Sequence, residues 1–494
     1  MLRFLYKYRF EAVNFVAGAV VLTFELVATR VAAPYIGATI YTWTSIIGVI
    51  LAALAVGYWL GGYLADKRKR AEDVILLLMI AAGMIFIINL IKDWLLFQIS
   101  QTGLPLQIQA FGASLLLFAP PAVALGAVSP YLARLSLTGL GTSGRHIARI
   151  SAAGTIGSLV GTFLTGYLLF GFIGTRNILS VLVLFLVLGS FLLTSRFILI
   201  PRILLGAAAF LSLVISPSLH LTGVVSDIDT HYQRLAVRDT VYRNRPVRVL
   251  QTDALAWQSG IYRDGDNGLA FPYLRAFSYV AASAQRAGGY LVIGGGAFTL
   301  PQYLAGNYPH SSVDVVEIDD RLKQVSSDHF NFKPLGNLHI IEADGRQFLN
   351  NNKKVYDLIF VDTFDSITPP FQMLTKEAVE RINKSLAPEG IVAVNVVSAF
   401  QGPKAELIEA VYKTYLSSFK FVEVFPVYSD TDAHRRQNLV LLASQKPLDL
   451  ASLTAATGSS EARQIFSNQT AVGDSELILT DDFAPVERLA ASGL

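Results

Sequence analysis

Two hydrophobic patterns follow one another along this chain and divide it near residue 217. In the first part, apolar runs are long enough to cross a hydrocarbon core of about 30 Å, which takes about 20 helical residues. In the second part, short apolar runs alternate with helical patterns, as in a soluble α/β fold. A multispan α-helical membrane domain followed by an α/β domain is therefore predicted. The predicted spans are 10–31, 41–64, 74–96, 108–132, 151–173, 177–195 and 199–216.

Composition supports this division and argues against a soluble protein, a nucleic-acid-binding protein and a metalloprotein. A mean hydropathy of +0.46, with 16% charged residues, is too apolar for an ordinary soluble chain. The first apolar run is not a cleaved signal, because Glu25 and Arg30 interrupt it and another span follows. A formal charge of +3 argues against nucleic acid as a partner. The chain has no cysteine, and its seven histidines form no metal-ligand spacing, so no metal site is predicted.

Basic residues are distributed unevenly around the predicted spans. The alternate loops 33–39, 100–105 and 172–177 carry only Arg176. Since lysine and arginine collect on the cytoplasmic side, the amino terminus is predicted to be cytoplasmic, in a multi-pass inner membrane of bacterial type. The basic residues of the other loops are Arg3, Lys7, Arg9, Lys67, Arg68, Lys69, Arg70, Arg134, Arg145, Arg149, Arg196 and Arg202.

The same rule creates a conflict for the second half. Seven spans that start inside would leave residues 217–494 outside, whereas a nucleotide cofactor is normally supplied inside. Either 199–216 lies at the interface or re-enters, or the count is wrong by one around Pro120–Pro121. We expect the C-terminal domain to be cytoplasmic.

Two features of the membrane half suggest more than an anchor. Glu25 and Arg30 lie within the first span, where ionisable residues are costly enough to be functional candidates; an ion pair or snorkelling that fixes helix packing is the alternative. The stretch GYWLGGYLADKRKR (57–70) resembles the loop after the second helix of major-facilitator transporters. Two pairs of glycines at i, i+4 spacing let helices approach closely, and they are Gly57 with Gly61 and Gly157 with Gly161.

The second half is predicted to be a doubly wound, mostly parallel Rossmann-like sheet. A hairpin of 235–239 and 247–253 forms a small subdomain before it. Strands buried on both faces read as continuous apolar runs, and ligands bind at their carboxyl ends. The predicted strands are 290–293, 313–318, 338–342, 356–361 and 390–396. The predicted domains are 1–216 (transmembrane), 217–268 (linker and hairpin), 269–446 (Rossmann-like) and 447–494 (extension).

Polar motifs end several of these strands and indicate a nucleoside site. Gly294, Gly295 and Gly296 form a turn that a ligand can approach closely, and Glu317 follows at the spacing of an acid on ribose hydroxyls. Thr299 replaces the third glycine of a dinucleotide motif, so a ribose cofactor without pyrophosphate fits better. Asp344-Gly345 could accept a hydrogen bond from an adenine amino group.

A pair of carboxylates closes the fourth strand. Asp362 and Asp365, in VDTFD, can hold a cationic amine, and one of them can take its proton. Loop solvation and helix capping are the alternative reading of this pair.

These residues resemble the polyamine aminopropyltransferases, the spermidine synthases, which are relatives of class I S-adenosylmethionine methyltransferases. The resemblance covers about 229–445 and includes Tyr232-Gln233 in DTHYQRLAV, Gln258 in TDALAWQ, Tyr273, the glycine turn and LTKEAVERINKSLAPEGIVAVNV (374–396). The membrane half also looks like the helices fused to such domains in bacterial multispan proteins.

The resemblance implies a reaction and a role for each matching residue. Decarboxylated S-adenosylmethionine would donate an aminopropyl group to an amine such as putrescine, and family members are often homo-oligomers. The nucleoside would be held by Gln233, Glu317 and Asp344, with Asp319, Gly345 and the three glycines of the turn nearby; Asp362 would be the base; Asp365 would help hold the amine; and Tyr232, Gln258 and Tyr273 would lie on the substrate side.

Departures from the family pattern keep other functions open. Ala297 and Phe298 replace the Asp-Gly of the family's GGGDG turn, whose acid binds the donor's amine. The family commonly has His or Gln and then Glu after its tunnel tyrosine, whereas Leu274 and Arg275 follow Tyr273 here. Ser366 stands where the family has a proline after the second aspartate of the catalytic loop. The alternatives are an S-adenosylmethionine-dependent methyltransferase, or a transporter or sensor that only binds a nucleoside or polyamine.

Overall fold

Apolar helices form the first part of the chain at the places where the hydrophobic runs predicted them. In this computed structural model, residues 1–220 and 228–234 make up a helical unit, and 221–227 with 235–494 an α/β unit. The structure describes residues 7–491 except 138–142, 194, 196, 215–222, 253–256, 285–287, 364–368, 429–431, 456–457, 468–471 and 474.

Among the described residues, five helices are long and apolar enough to cross a membrane, and the last two predicted spans are shorter apolar helices. A short turn, Phe170–Phe172, follows the fifth helix. The helices are α1 Arg9–Ile36, α2 Ile40–Arg68, α3 Ala71–Ser100, α4 Leu106–Ser136, α5 Ser143–Leu169, α6 Thr175–Phe191 and α7 Leu199–Val214.

Glycines bring the long helices into backbone contact. A Cβ on Gly61 of α2 would lie 2.3 Å from the carbonyl oxygen of Ala127 in α4. A Cβ on Gly157 of α5 would lie 2.0 Å from the carbonyl oxygen of Phe15 in α1. Such distances exclude any side chain, so these small residues serve helix packing.

Helix α4 continues through the Pro120–Pro121 pair. Since proline lacks an N–H, the helical hydrogen bonding shifts, and a π-helical segment occupies Ser114–Phe118. The helix nevertheless runs from Leu106 to Ser136, so this region is one candidate span, not two.

The predicted hairpin is the centre of a four-stranded sheet of order β1-β2-β3-β4. Strands β2 and β3 are antiparallel and turn at Arg243 and Asn244, both with positive φ. Residues 228–234, from the end of β1 to the first residue of β2, group with the helical unit. The strands are β1 Val224–Asp229, β2 Arg234–Tyr242, β3 Arg245–Gln251 and β4 Trp257–Tyr262.

The predicted Rossmann-like sheet is confirmed. It has seven described strands in the order β10-β11-β9-β8-β5-β6-β7; β9-β8-β5-β6-β7 are parallel, and β10 and β11 are antiparallel. Apolar side chains on both faces bury it, as the continuous runs predicted. The strands are β5 Gly289–Ile293, β6 Ser312–Glu317, β7 Leu338–Glu342, β8 Tyr356–Val361, β9 Leu386–Ser398, β10 Phe421–Pro426 and β11 Gln437–Ser444.

Helices cover the faces of this sheet, and the C-terminal extension packs on the same unit. Leu479, Val486 and Leu489 of the extension join the main hydrophobic core. Short 3₁₀ turns occupy Phe371–Met373 and Pro403–Ala405. The helices are α8 Pro272–Ala284, α9 Thr299–Asn307, α10 Arg321–His329, α11 Gly345–Asn351, α12 Lys376–Lys384, α13 Glu406–Leu416, α14 Leu450–Ala455, α15 Ser460–Phe466 and α16 Val486–Ala491.

Candidate functional site

The glycine turn leaves β5 between two neighbouring strand ends. The Gly294 N–H donates to the Val316 carbonyl of β6 at 2.9 Å, and Gly294 has a φ of +95°. A Cβ on Gly294 would lie 2.0 Å from the Asp362 carbonyl oxygen beyond β8, so only glycine fits. Gly296, at a φ of +52°, approaches Ser259 of β4, whose Oγ would lie 2.6 Å from an added Cβ.

Glu317 ends β6 and fastens this turn. Its carboxylate accepts the Gly295 N–H at 2.8 Å on one oxygen and the Asp319 N–H at 2.9 Å on the other. Burial raises the pKa of Glu317, and these N–H donors oppose the shift. Each oxygen keeps a second lone pair, so the carboxylate can still accept a ribose hydroxyl.

The next strand end supplies the Asp344-Gly345 pair. Asp344 caps α11 by accepting the Gln347 N–H at 2.9 Å. A Cβ on Gly345 would lie 2.7 Å from Cγ2 of Ile293, the last residue of β5, so glycine keeps α11 against the strand before the turn. Asp319 is buried and accepts the Arg321 N–H at 3.1 Å, which fixes the start of α10.

Asp362 is the first residue after β8. Its N–H donates to the Ile293 carbonyl at 2.9 Å, and its Oδ1 accepts from the Asn395 amide at 2.9 Å. Burial raises the pKa of Asp362 to about 6, while the hydrogen bond from Asn395 and the neighbouring Tyr273 hydroxyl oppose that shift. A carboxylate with a pKa near neutrality can take a proton from a bound group.

Tyr273 of α8 lies beside this carboxylate. Its hydroxyl donates to the Gln258 backbone carbonyl at 2.8 Å, and the residue is 6% exposed. Burial and the neighbouring Asp362 raise the Tyr273 pKa well above its usual value, so the hydroxyl stays neutral. The structure therefore brings Tyr273, Gln258 and Asp362 together.

A line of aromatic rings leads from the surface to Tyr273. Trp257 is 37% exposed and stacks on Phe271 with ring centroids 6.3 Å apart. Phe271 stacks on Tyr273 at 6.5 Å, and Tyr273 meets Phe277 edge-on at 6.2 Å. Aromatic faces attract cations, so these rings can receive an ammonium group.

Two asparagines and a serine belong to this site although the motifs did not indicate them. Asn438 of β11 donates to Oδ1 of Asn395 at 3.0 Å, which orients the Asn395 amide toward Asp362. The Ser259 Oγ accepts the Ala297 N–H at 3.1 Å. The signal for Asn395 was available, because it is the one polar residue in the apolar run IVAVNVV.

The remaining predicted residues belong to the helical unit or lie outside the described residues. Asp365 lies outside the described residues, so its role stays a prediction. Tyr232 and Gln233 belong to residues 228–234, which group with the helical unit. Tyr232 is 53% exposed, and the buried Oε1 of Gln233 has no hydrogen-bond partner among the described residues.

The position of the family's missing acid is closed by apolar packing. Ala297 is buried. Phe298 takes a φ of +54°, the conformation that favours glycine, and its ring lies 5.0 Å from that of Phe332. Phe298 thus combines an aromatic contact with a backbone conformation that is unfavourable for a residue with a side chain. Position 297 offers no carboxylate.

Arg30 contacts the chain's own backbone instead of Glu25. Its guanidinium donates to the Thr230 carbonyl at 2.6 Å and to the His231 carbonyl, and it stacks on Phe170 at 4.0 Å. The ion pair considered for Glu25 and Arg30 is therefore wrong. Glu25 is half-buried and has no ion-pair partner in the described part of the chain.

A doubly wound sheet with an acid, a glycine turn and a partly buried carboxylate at its carboxyl edge is an arrangement that can bind a nucleoside. Residues 277–429 match the family model of the spermine/spermidine synthase domain. This part of the chain is therefore similar to spermine and spermidine synthase domains.

Individual relatives agree with that match. The probable polyamine aminopropyl transferase of Bifidobacterium longum is 28% identical over 243 residues, 45% of this chain and 54% of the relative. The polyamine aminopropyltransferase of Vibrio vulnificus is 27% identical over 38% of this chain and 64% of its own length. The chain thus spans between half and two thirds of the length of these relatives.

Two further similarities lie in other proteins. The human eEF1A lysine and N-terminal methyltransferase is 26% identical over 130 residues, 24% of this chain and 19% of the relative. A solved structure, a probable spermidine synthase from Corynebacterium glutamicum, aligns with a TM-score of 0.42 and 21% identity over 52% of this chain and 99% of its own.

Proposed function

We propose that this protein is a membrane-anchored polyamine aminopropyltransferase. It transfers an aminopropyl group from decarboxylated S-adenosylmethionine to an amine such as putrescine. The single observation that carries the proposal is Asp362, a partly buried carboxylate with a pKa near 6 at the edge of the nucleoside turn. The resemblance to polyamine aminopropyltransferases supports the substrate class.

The donor is held at the carboxyl ends of β5, β6 and β7 in this proposal. Glu317 accepts hydrogen bonds from the ribose hydroxyls, and Asp344 accepts one from the adenine amino group. The glycine turn lets the backbone come close to the nucleoside. By the resemblance to the family, Gln233 adds a contact to the nucleoside. The sulfonium then faces Asp362, which follows the adjacent strand β8.

The reaction is a displacement at the carbon next to the sulfonium. The amine nitrogen forms a bond to that carbon, the carbon–sulfur bond breaks, and methylthioadenosine leaves with the electron pair. Asp362 takes the proton that the attacking ammonium must lose, and Asn395 keeps its carboxylate in place. Trp257, Phe271 and Tyr273 line the approach of the cationic amine. By the resemblance to the family, Asp365 helps to hold the amine.

A methyltransferase is the second candidate, and Ala297 favours it. With a buried alanine at that position, the site lacks the acid that would hold the free amine of a decarboxylated donor. The 26% identity to a human methyltransferase over a quarter of this chain is in keeping with this candidate. A transporter or sensor that only binds nucleoside or polyamine is supported by Glu25, a half-buried carboxylate in an apolar helix.

One experiment separates the three functions. The purified full-length protein in detergent is incubated with putrescine and either labelled decarboxylated S-adenosylmethionine or labelled S-adenosylmethionine. We expect methylthioadenosine from the decarboxylated donor. S-adenosylhomocysteine would instead establish the methyltransferase, and binding of nucleoside without either product would establish the binding protein. Asp362→Asn controls for turnover by a contaminant.

A further inference from the structure

The two ends of the helical unit differ in charge. One end, here the basic end, is marked by contacts between helix termini: Arg134 near the end of α4 pairs with Asp66 near the end of α2 at 2.6 Å, and Arg149 near the start of α5 pairs with Glu11 at the start of α1 at 2.6 Å. The stretch KRKR lies at the same end, directly before α3. Since basic loops stay in the cytoplasm, the basic end faces the cytoplasm.

The other end, here the opposite end, carries a separate polar group. Tyr35 near the end of α1 donates to Asp93 in the last third of α3 at 2.8 Å. Asn89 of α3 donates to the Arg176 carbonyl at the start of α6 at 3.1 Å. Helices α1 and α3 therefore end where α6 begins, as expected of successive crossings in alternate directions.

Helix α7 runs from the basic end to the opposite end. At its start, Arg202 donates to the Ser195 carbonyl at 3.2 Å, and Ser195 in turn contacts Glu72 at the beginning of α3. Near its end, Ser212 hydrogen-bonds Ser180 of α6 at 2.6 Å. Its 16 residues span about 24 Å at 1.5 Å per residue. Its 16 residues are fewer than the roughly 20 that a hydrocarbon core takes, but the contacts place the start and the end of α7 at opposite ends of the helical unit.

The chain then stays at the opposite end, where residues 228–234 are held by charged and polar contacts. Asp229 accepts the Thr175 N–H at the start of α6 at 2.6 Å. Arg30 holds the Thr230 carbonyl at 2.6 Å, and Arg234 pairs with Asp93 at 3.3 Å. Leu235, in β2, is the next residue and belongs to the α/β unit.

We propose that the chain leaves the helical unit on the side opposite the basic loops, so that the spermidine synthase-like unit lies outside the cytoplasm. Among the described residues after 234, no helix is long and apolar enough to return the chain across a membrane. A cytoplasmic domain was expected because nucleotides are supplied in the cytoplasm. The contacts of α7 and of residues 228–234 instead indicate that the chain leaves the helical unit at the opposite end. The inference rests on the helical unit alone and is independent of the proposed reaction.

An extracytoplasmic site would need a supply of both substrates on that side of the membrane. If the aminopropyl transfer proceeds at this site, both the sulfonium nucleoside and the amine must be exported to, or made on, the extracytoplasmic side. The Asp362 carboxyl, whose pKa is about 6, would then titrate at the pH of that compartment.

The test exploits the absence of cysteine from the chain. Single cysteines are placed in the full-length protein at exposed positions by Lys323→Cys in α10, Lys67→Cys at the basic end and Thr102→Cys after α3. Intact cells of a Gram-negative host are treated with a maleimide that crosses the outer but not the inner membrane. We expect labelling at 323 and 102, and labelling at 67 only after the inner membrane is permeabilised.

Labelling of 323 on the same side as 67 would overturn the proposal. A second measurement is available if one of the cysteine variants does not accumulate in the membrane. Alkaline phosphatase or green fluorescent protein is fused after Leu494 of the unmodified chain. Phosphatase activity without fluorescence is expected, and fluorescence without phosphatase activity would contradict the proposal. Neither readout requires turnover, so the proposed function can fail while the topology holds, and the reverse.

Discussion

The side-chain amide of Asn395 donates a 2.9 Å hydrogen bond to the carboxylate of Asp362. Asn395 is almost fully buried in β9, and Asp362 follows the parallel neighbour β8. The amide nitrogen is available to Asp362 because Asn438 of β11 satisfies the amide oxygen. Three strands thus set the position and the pKa of one carboxylate.

Replacing that carboxylate should abolish turnover without loss of donor binding. Asp362→Asn keeps the shape of the side chain but cannot accept the proton, and general bases contribute about 10²–10⁴-fold to rate. We expect a loss in that range for methylthioadenosine release and little change in the Kd for methylthioadenosine by calorimetry. Asp320→Asn, at an exposed residue, is the matched control. Unchanged turnover in Asp362→Asn would refute the base assignment.

Activity should fall as the pH drops through about 6. Burial raises the pKa of Asp362 to about 6, and the base acts only as the carboxylate, which is populated above that pH. The profile of kcat/KM against pH, measured with saturating donor, should show an acidic limb near this value. In Asp362→Glu any residual activity should keep such a limb at a shifted position. A flat profile between pH 5 and 8 would contradict the role of Asp362.

Removing the amide donor should move that limb upward. The bond from Asn395 lowers the Asp362 pKa against the effect of burial, so Asn395→Leu leaves the protonated carboxyl favoured over a wider range. We expect kcat/KM at pH 7 to fall, with partial recovery at pH 8.5. A merely structural role would lower activity equally at both pH values, and thermal unfolding of the variant checks for that.

The glycine turn should tolerate no side chain at its first position. Gly294→Ala would place a Cβ 2.0 Å from the Asp362 carbonyl oxygen at a φ of +95°. The strained backbone alone costs about 1–3 kcal/mol, and the clash adds to it. We expect a lowered Tm and loss of nucleoside binding. Gly336→Ala, where an added Cβ meets open space, should leave both unchanged.

Restoring the acid at position 297 should change donor preference. A carboxylate there can bind the free amine of a decarboxylated donor, and a hydrogen bond to a charged group contributes about 1.5–3 kcal/mol, or roughly tenfold or more. The ratio of kcat/KM for decarboxylated over intact S-adenosylmethionine should rise by about that factor in Ala297→Asp but not in Ala297→Asn. An equal ratio in both variants would mean that position 297 does not face the donor's amine.

Local patterns predicted much of the site because neighbouring parallel strands end at one edge. Glu317 and the glycine turn were expected to meet, and the Gly295 N–H lies 2.8 Å from the Glu317 carboxylate. Asn395 was missed because its role depends on the pairing of β8, β9 and β11, residues far apart in the chain. The pairing of Arg30 with Thr230 likewise joins residues 200 positions apart, which no local pattern encodes.

The sequence by itself determined the two-part architecture, the parallel sheet and the family resemblance, since hydropathy period and strand-end motifs are local properties. Only the tertiary structure decided which donors surround Asp362, that residues 228–234 join the helical unit, and that α7 crosses from one end of it to the other. Those features arise from contacts between distant segments, where burial and hydrogen-bond geometry set the pKa of a carboxyl and the path of the chain.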